Sequence, residues 1–207
     1  MHEKRKQEPQ KSVIFTIIII NSIKTMSVTD EIEPETVSPD DVEKEKLEVH
    51  RYIEELNTKL ASKATLRKEN LSCQRPAENH FSKLDSSLKK NTAYVKKLKQ
   101  FTTAQLDSLI NEMNTLNLTK YTSEVSTSLT EAKIKMTDIQ AMLILSSKLH
   151  QTYADFGQHF FESWQKVFQL KPGEKVANPS KMRVDLRFYC ELISIGIFSN
   201  KVKVLSI

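Results

Sequence analysis

Glycine is unusually rare in this 207-residue sequence and occurs only at Gly157, Gly173 and Gly196. Average usage of about 7% would give roughly 14 glycines. Dinucleotide-binding turns and phosphate-binding P-loops need closely spaced glycines, and tight β-hairpins favour them as well. Nucleotide-binding folds of these kinds and most all-β folds are therefore excluded.

Cysteine and histidine are too scattered to form a site. The two cysteines, Cys73 and Cys190, are far apart, which excludes a disulfide framework and fits a reducing compartment. None of the five histidines lies three or four residues from a second histidine or a cysteine, so we expect no metal site. No other feature of the sequence predicts a cofactor or a catalytic residue, and we expect neither. Cys190 has apolar neighbours, and we expect it to be a small core residue rather than a nucleophile.

The N-terminal 39 residues differ from the rest and are predicted to be a disordered, atypical extension. Their apolar run, residues 13–20, is too short for a bilayer, which needs about 20 residues. No small-residue cleavage site follows it, so a targeting signal is the weaker alternative. We expect no membrane association, a cytoplasmic location, and Met26 as the true initiator. Residues 27–41 contain prolines and many acids, which is typical of a disordered linker.

Charge is distributed unevenly along the chain, although the formal net charge is only +5. Residues 30–48 contain nine acids and two lysines, whereas residues 49–101 contain twelve Lys or Arg and five acids. This pattern predicts a solvated acidic segment that leads into a basic helical region.

Residues 40–75 are predicted to form an amphipathic helix and a linker. The helix has a narrow apolar stripe of Leu47, Ile53, Leu56 and Leu60 with polar residues around it. A solvated helix that docks lightly on the body is the favoured interpretation, and a partner-binding helix is the alternative.

Apolar residues at helical spacing predict six further helices of 12–20 residues between residues 79 and 201. Residues 102–105 form a capping box that begins one of these helices. Short polar connections make neighbouring helices antiparallel. The fold class is therefore all-α, either stacked helical hairpins in a HEAT-like solenoid or a compact bundle. The inward positions assigned to the last helix are Met182, Leu186, Tyr189, Ile193 and Ile197.

A lysine stripe is the strongest candidate binding feature. Five lysines fall within eleven residues that contain no acid, and seven-residue spacing aligns two pairs of them on one helix face, away from Leu84, Leu88, Val95 and Leu98. Such a face binds RNA phosphates or an acidic partner surface, although a solvated helix face is the simpler alternative. The lysine stripe consists of Lys89, Lys90, Lys96, Lys97 and Lys99.

Two arginines of the last predicted helix are a second candidate contact. Arg183 and Arg187 share one helix face and suit a carboxylate or phosphate of a partner. Ion pairing within the fold, with Arg187 bonded to Glu191 at i,i+4, is the competing interpretation.

Five runs within residues 80–201 resemble, in the same order, the first middle domain of the second Up-frameshift family, the regulators of nonsense transcripts. This order is more specific than a general likeness to helical repeats. The runs are residues 83–99 (KLDSSLKKNTAYVKKLK), 116–121 (LNLTKY), 131–135 (EAKIK), 150–156 (HQTYADF) and 181–198, which begins KMRVDLRFY.

The resemblance implies the helical-hairpin fold of the initiation factor 4G middle domain and a non-enzymatic adaptor of nonsense-mediated mRNA decay. In that family a third middle domain binds the third Up-frameshift protein and a C-terminal segment binds the Up-frameshift helicase; we expect neither region in this chain. A general RNA-binding middle-domain protein of translation is the alternative function.

Residues 202–207 depart from the family pattern, and we expect them to be a non-native tail translated from an intron. The middle domain is then truncated, and apolar surface is predicted to be exposed around Phe188, Ile193, Ile195 and Phe198.

Overall fold

The computed structural model describes residues 39–169 and 176–198 as α-helices joined by short loops and 3₁₀ turns. Within these residues the only extended pairing is an isolated parallel bridge between Asp85 and Leu116. The 3₁₀ turns are Thr103–Gln105, Thr119–Tyr121 and Met136–Asp138. The helices are α1 Pro39–Leu71, α2 Glu78–Phe81, α3 Leu88–Leu98, α4 Leu106–Met113, α5 Thr122–Glu131, α6 Ile139–Thr152, α7 Phe156–Phe168 and α8 Pro179–Ser194.

Several predictions fall outside the described residues. They are the extension and linker before Pro39 and the tail at 202–207. The chain separates into two units, residues 1–51 and 52–207. In the first unit, the described side chains of α1 are exposed.

Helices α3 to α8 of the second unit form stacked hairpins. Alternate helices pack on one another, so that α3, α5 and α7 make one layer and α4, α6 and α8 make the other. Sequential helices such as α3 and α4, or α6 and α7, pack across the layers. This arrangement is the predicted HEAT-like solenoid of stacked hairpins rather than a compact bundle.

The core is filled from both layers. Leu98, Met142 and Leu145 are among its fully buried residues. Near α8 the core consists of an aromatic cluster. In this cluster Phe160 packs against Trp164 and Phe198, with ring centroids 6.1 and 5.8 Å apart. Aromatic pairs at such distances add to the stabilisation that comes from buried area.

The last turns of helix α1 belong to the second unit and pack against its other helices. Leu66 and Asn70 are buried, and Lys63 Nζ lies 2.6 Å from Glu191 Oε2 of α8. The Arg67 guanidinium donates hydrogen bonds to the carbonyl oxygens of Ile193 and Ser194 at the end of α8.

The prediction that Leu84 lies in the same helix as Val95 and Leu98 is wrong. The chain forms the single turn α2 and then leaves helical geometry, because the Asp85 backbone pairs with the segment after α4: Asp85 N–H donates to Thr115 O, and Asn117 N–H donates to Asp85 O. Helix α3 begins only at Leu88. Leu88 is consequently on the exposed first turn, and its predicted place on the apolar face is also wrong.

The inward face predicted for α8 is wrong at Leu186, which is 47% exposed. The buried face instead includes Phe188 and Leu192, together with the acids Asp185 and Glu191. Each buried acid has a cation beside it, since Lys181 Nζ is 2.6 Å from Asp185 Oδ2 and Lys63 bonds Glu191. Because two acids lie on the buried face, the spacing of apolar residues alone does not identify that face.

The apolar surface expected around the last helix is not exposed. Phe188, Ile195 and Phe198 are buried and Ile193 is half-buried. Phe198 lies against Phe160 and Phe161 of α7 and against Tyr189, which removes its ring from solvent.

Candidate interaction surface

The lysine stripe lies on α3, which packs against α4 and α5 through its opposite face. Four of its lysines are in the helix and Lys99 is the C-cap residue. All five side chains are exposed, whereas Tyr94 and Leu98 point into the core. The predicted separation therefore holds for Leu98, but not for Leu88 and Val95, which line one groove with Lys96 and Lys99.

Three lysines of the stripe form ion pairs with acids from neighbouring segments, which the sequence did not reveal. Because these pairs neutralise part of the positive charge, the stripe attracts phosphates less strongly than five free lysines would. The pairs are Lys90 with Asp85 at 2.6 Å, Lys97 with Glu112 at 2.8 Å and Lys99 with Glu131 at 2.7 Å.

The pair of Asp85 and Lys90 sits at the start of α3. The hydrogen bond from the Lys90 ammonium, followed by that from the Ser87 backbone N–H, lowers the pKa of the Asp85 carboxyl. The same hydrogen bond raises the pKa of Lys90. Both groups are therefore charged at neutral pH.

Lys89 and Lys96 have no carboxylate at ion-pairing distance in the part of the chain that the structure describes. They are seven residues apart and lie on one side of α3. They are the lysines of the stripe that are available to a partner.

A groove of about 590 Å³ runs between α3 and α5 beside these lysines. Its apolar lining is Leu88, Val95 and Tyr121. Lys96 and Lys99 line it on the α3 side, and Glu124 lines it on the α5 side. The groove therefore combines apolar surface with positive charge along one wall.

Sequence reasoning missed Leu88 as a component of this groove because Leu88 was assigned to the apolar face of its helix. For Leu88 a cue was available: Asp85-Ser86-Ser87 is a typical helix-start sequence. A helix that begins there places Leu88 in the exposed first turn.

The two arginines of α8 are exposed and differ in their contacts. Arg187 bonds Glu191, with Nε 3.0 Å and Nη2 2.9 Å from Oε1. The i,i+4 pairing within the fold is therefore present. Arg183 has no such acid among the residues described here and is the freer of the two cations.

The prediction that Cys190 is a core residue is wrong, because its side chain is exposed. It lies on the outer face of α8 with Arg183 and Arg187, since the buried face of the helix is the one that contains Phe188. Over residues 39–169 and 176–198, no group of three or more His, Cys, Asp or Glu side chains is arranged to hold a metal ion. The helices in those ranges also include none with the length and apolarity to cross a bilayer.

Residues 88–206 match the model of the MIF4G domain, the middle domain of initiation factor 4G. The match covers more than half of the sequence. The chain belongs to the MIF4G domain family.

Its relatives include regulators of nonsense transcripts from animals and plants. The chain is 50% identical to human regulator of nonsense transcripts 2 over 133 residues, which is 64% of this chain and 10% of the human protein. It is 36% identical to regulator of nonsense transcripts UPF2 of Arabidopsis thaliana over 154 residues, 72% of this chain and 13% of that protein. The chain thus spans only about a tenth of the length of these curated relatives.

The fold is similar to a solved structure, the crystal structure of the first MIF4G domain of human nonsense mediated decay factor UPF2. The TM-score is 0.72 and the sequence identity is 45%. The likeness covers 75% of this chain and 51% of the solved chain. The resemblance found in the sequence is thereby confirmed for both family and fold.

Proposed function

We propose that this MIF4G domain is a non-enzymatic scaffold of nonsense-mediated mRNA decay that supports contacts between proteins in the cytoplasm. The observation that carries the proposal is the likeness to the first MIF4G domain of human UPF2, at 45% identity and a TM-score of 0.72. A solenoid of stacked hairpins suits this role, because its helices leave extended surfaces for partners.

The proposed partners are other nonsense-mediated decay proteins. The free cations of α3, Lys89 and Lys96, together with Arg183 of α8, are the residues we propose to meet acidic groups of those partners. The ion-paired lysines, Lys90, Lys97 and Lys99, support the solenoid by linking α3 to neighbouring segments. Arg187 instead pairs with Glu191 within α8.

The proposal is tested by domain replacement. Residues 79–198 replace the matching segment of human regulator of nonsense transcripts 2 in cells depleted of the endogenous protein. We expect the chimera to restore rapid decay of a reporter mRNA with a premature stop codon, and to leave a matched reporter without that stop unchanged. A chimera that accumulates normally and leaves the premature-stop reporter stable contradicts the proposal.

The second candidate function is a general RNA-binding MIF4G protein of translation, and free Lys89 and Lys96 favour it. The probe is a single-stranded RNA oligonucleotide in filter binding across salt concentrations. This candidate predicts affinity that falls steeply with salt and weakens when both lysines are changed to Glu, while the control Lys166→Glu on α7 has no effect. If the wild type, the double variant and the control bind the RNA equally, the lysine stripe does not take part in RNA recognition.

A further inference from the structure

Leu88 is the most exposed large apolar side chain of the described residues, with 67% of its surface accessible. A single exposed leucine needs no explanation on its own. Leu88, however, lies at the groove between α3 and α5, where Val95 and Tyr121 are only half-buried. Contiguous apolar surface with a polar rim marks a contact site for another molecule.

The rim of this groove carries charge of a defined pattern. On the α3 side, Lys96 has no acid beside it in the described structure, and Lys89 precedes it by two turns on the same side of the helix. Across the groove, Glu124 projects from α5. A complementary ligand therefore has acids along one flank, and these meet the α3 lysines.

The apolar lining distinguishes between a peptide and RNA. A phosphate backbone gains nothing from Leu88 and Val95, and binding of single-stranded RNA relies on aromatic side chains on which bases stack. The groove has one half-buried aromatic residue, Tyr121. A groove between two helices with leucine and valine in its lining suits the apolar face of an amphipathic helix.

We propose that the groove between α3 and α5 binds an acidic amphipathic helix of a partner protein. Apolar side chains of that helix pack on Leu88 and Val95, and its Asp or Glu side chains bond Lys89 and Lys96. This inference rests on the proposed scaffold function and names the chemistry of one partner.

The test measures fluorescence anisotropy with the full chain and a labelled helical peptide of about 15 residues, with leucines on one face and glutamates along one flank. The control peptide has lysine in place of every glutamate. We expect the glutamate peptide to bind at least about tenfold more tightly than the lysine peptide, because only the former complements the α3 lysines.

Variants locate the binding to the groove. The double change Lys89→Glu and Lys96→Glu is expected to weaken binding of the glutamate peptide by about tenfold and to improve binding of the lysine peptide. Leu88→Ser is expected to weaken binding of the glutamate peptide by about fivefold. The matched controls, Lys166→Glu on α7 and Leu186→Ser on α8, leave the affinity unchanged. All of these side chains are exposed, so the fold tolerates the changes.

Three results overturn the inference: no binding of the glutamate peptide, equal binding by the groove variants and controls, or an RNA oligonucleotide that binds through these lysines while the peptide does not. The outcome is separable from that of the scaffold proposal. If the chimera restores decay but the chain does not bind the peptide, the proposed role of the groove is refuted and the scaffold function is still supported.

Discussion

Buried polar side chains link α1 to the solenoid. Asn70 is only 3% exposed and satisfies its amide completely: Nδ2 donates to Ser147 Oγ at 3.1 Å and to Ile195 O at 2.9 Å, and Oδ1 accepts from Gln151 Nε2 at 3.0 Å. One side chain thus connects α1 to α6 and to the end of α8. None of its partners lies close to it in the sequence.

Asn70→Ala is expected to lower the free energy of unfolding by about 1–3 kcal/mol, because it leaves buried partners without hydrogen bonds. The matched control is Asn57→Ala, an exposed position in the same helix, which is expected to change stability by less than about 0.5 kcal/mol. Urea denaturation followed by circular dichroism measures both. Equal effects of the two substitutions contradict the proposed role of the Asn70 network.

His150 makes stability depend on pH in a defined direction. Burial, with a further contribution from the Arg75 charge, lowers the pKa of the imidazole, and its Nδ1 is buried without a hydrogen-bond partner. Below the unfolded-state pKa of about 6.5, the unfolded chain binds a proton that the folded chain does not. The free energy of unfolding therefore decreases, through His150, as the pH drops below that value.

Comparison of the wild type with His150→Gln isolates this effect, because the other titrating groups are common to both proteins. The wild type is expected to lose more stability than the variant between pH 7.5 and 5.5 in urea denaturation. An identical loss in the two proteins contradicts the assignment of a neutral, half-buried imidazole.

At the scale of elements, the end of α8 shows how a helix is stopped. Gly196 has a φ of 80°, and the last turn forms a Schellman motif: Gly196 N–H donates to Ile193 O, and Ile197 N–H donates to Leu192 O. The side chains of Leu192 and Ile197 are both buried. The motif turns the chain so that Phe198 enters the aromatic cluster.

Gly196→Ala is expected to destabilise the protein by about 1–2 kcal/mol, because a residue with a Cβ is strained in the left-handed region. The added Cβ would also lie 3.2 Å from Leu71 Cγ of α1. Ser194→Ala, at an exposed position of the same helix, is the control and is expected to be nearly neutral. Thermal unfolding measures both, and a neutral glycine substitution contradicts the account of this helix end.

Element boundaries show what could and could not be predicted from the sequence. The capping box at Thr102 and Gln105 is present, because it depends on residues three apart. The phase of α8 was mispredicted because it depends on a distant partner, whereas the mispredicted start of α3 had a local cue in Asp85-Ser86-Ser87. Lys63 of α1 allows Glu191 of α8 to be buried. Local pattern contains no information about that partner.

At the scale of the whole molecule, the fold was predictable and the binding surface was only partly so. Apolar spacing and five family-like runs predicted the solenoid, and the lysine stripe is exposed as expected. The ion pairs that neutralise Lys90, Lys97 and Lys99, and the groove that Leu88 shares with α5, arise only when separate helices pack. The candidate surface is thus a tertiary feature of the α3–α5 layer.

The central claim is that this MIF4G domain acts as a folded scaffold in nonsense-mediated decay. The most direct measurement is the half-life of the premature-stop reporter in cells that rely on the domain-replacement chimera, beside a chimera with Trp164→Ala. That substitution empties a buried position of the aromatic core and is expected to cost about 3–5 kcal/mol. We predict that the intact chimera shortens the half-life and that the core variant does not. A stable, well-expressed intact chimera that leaves the half-life long contradicts the account.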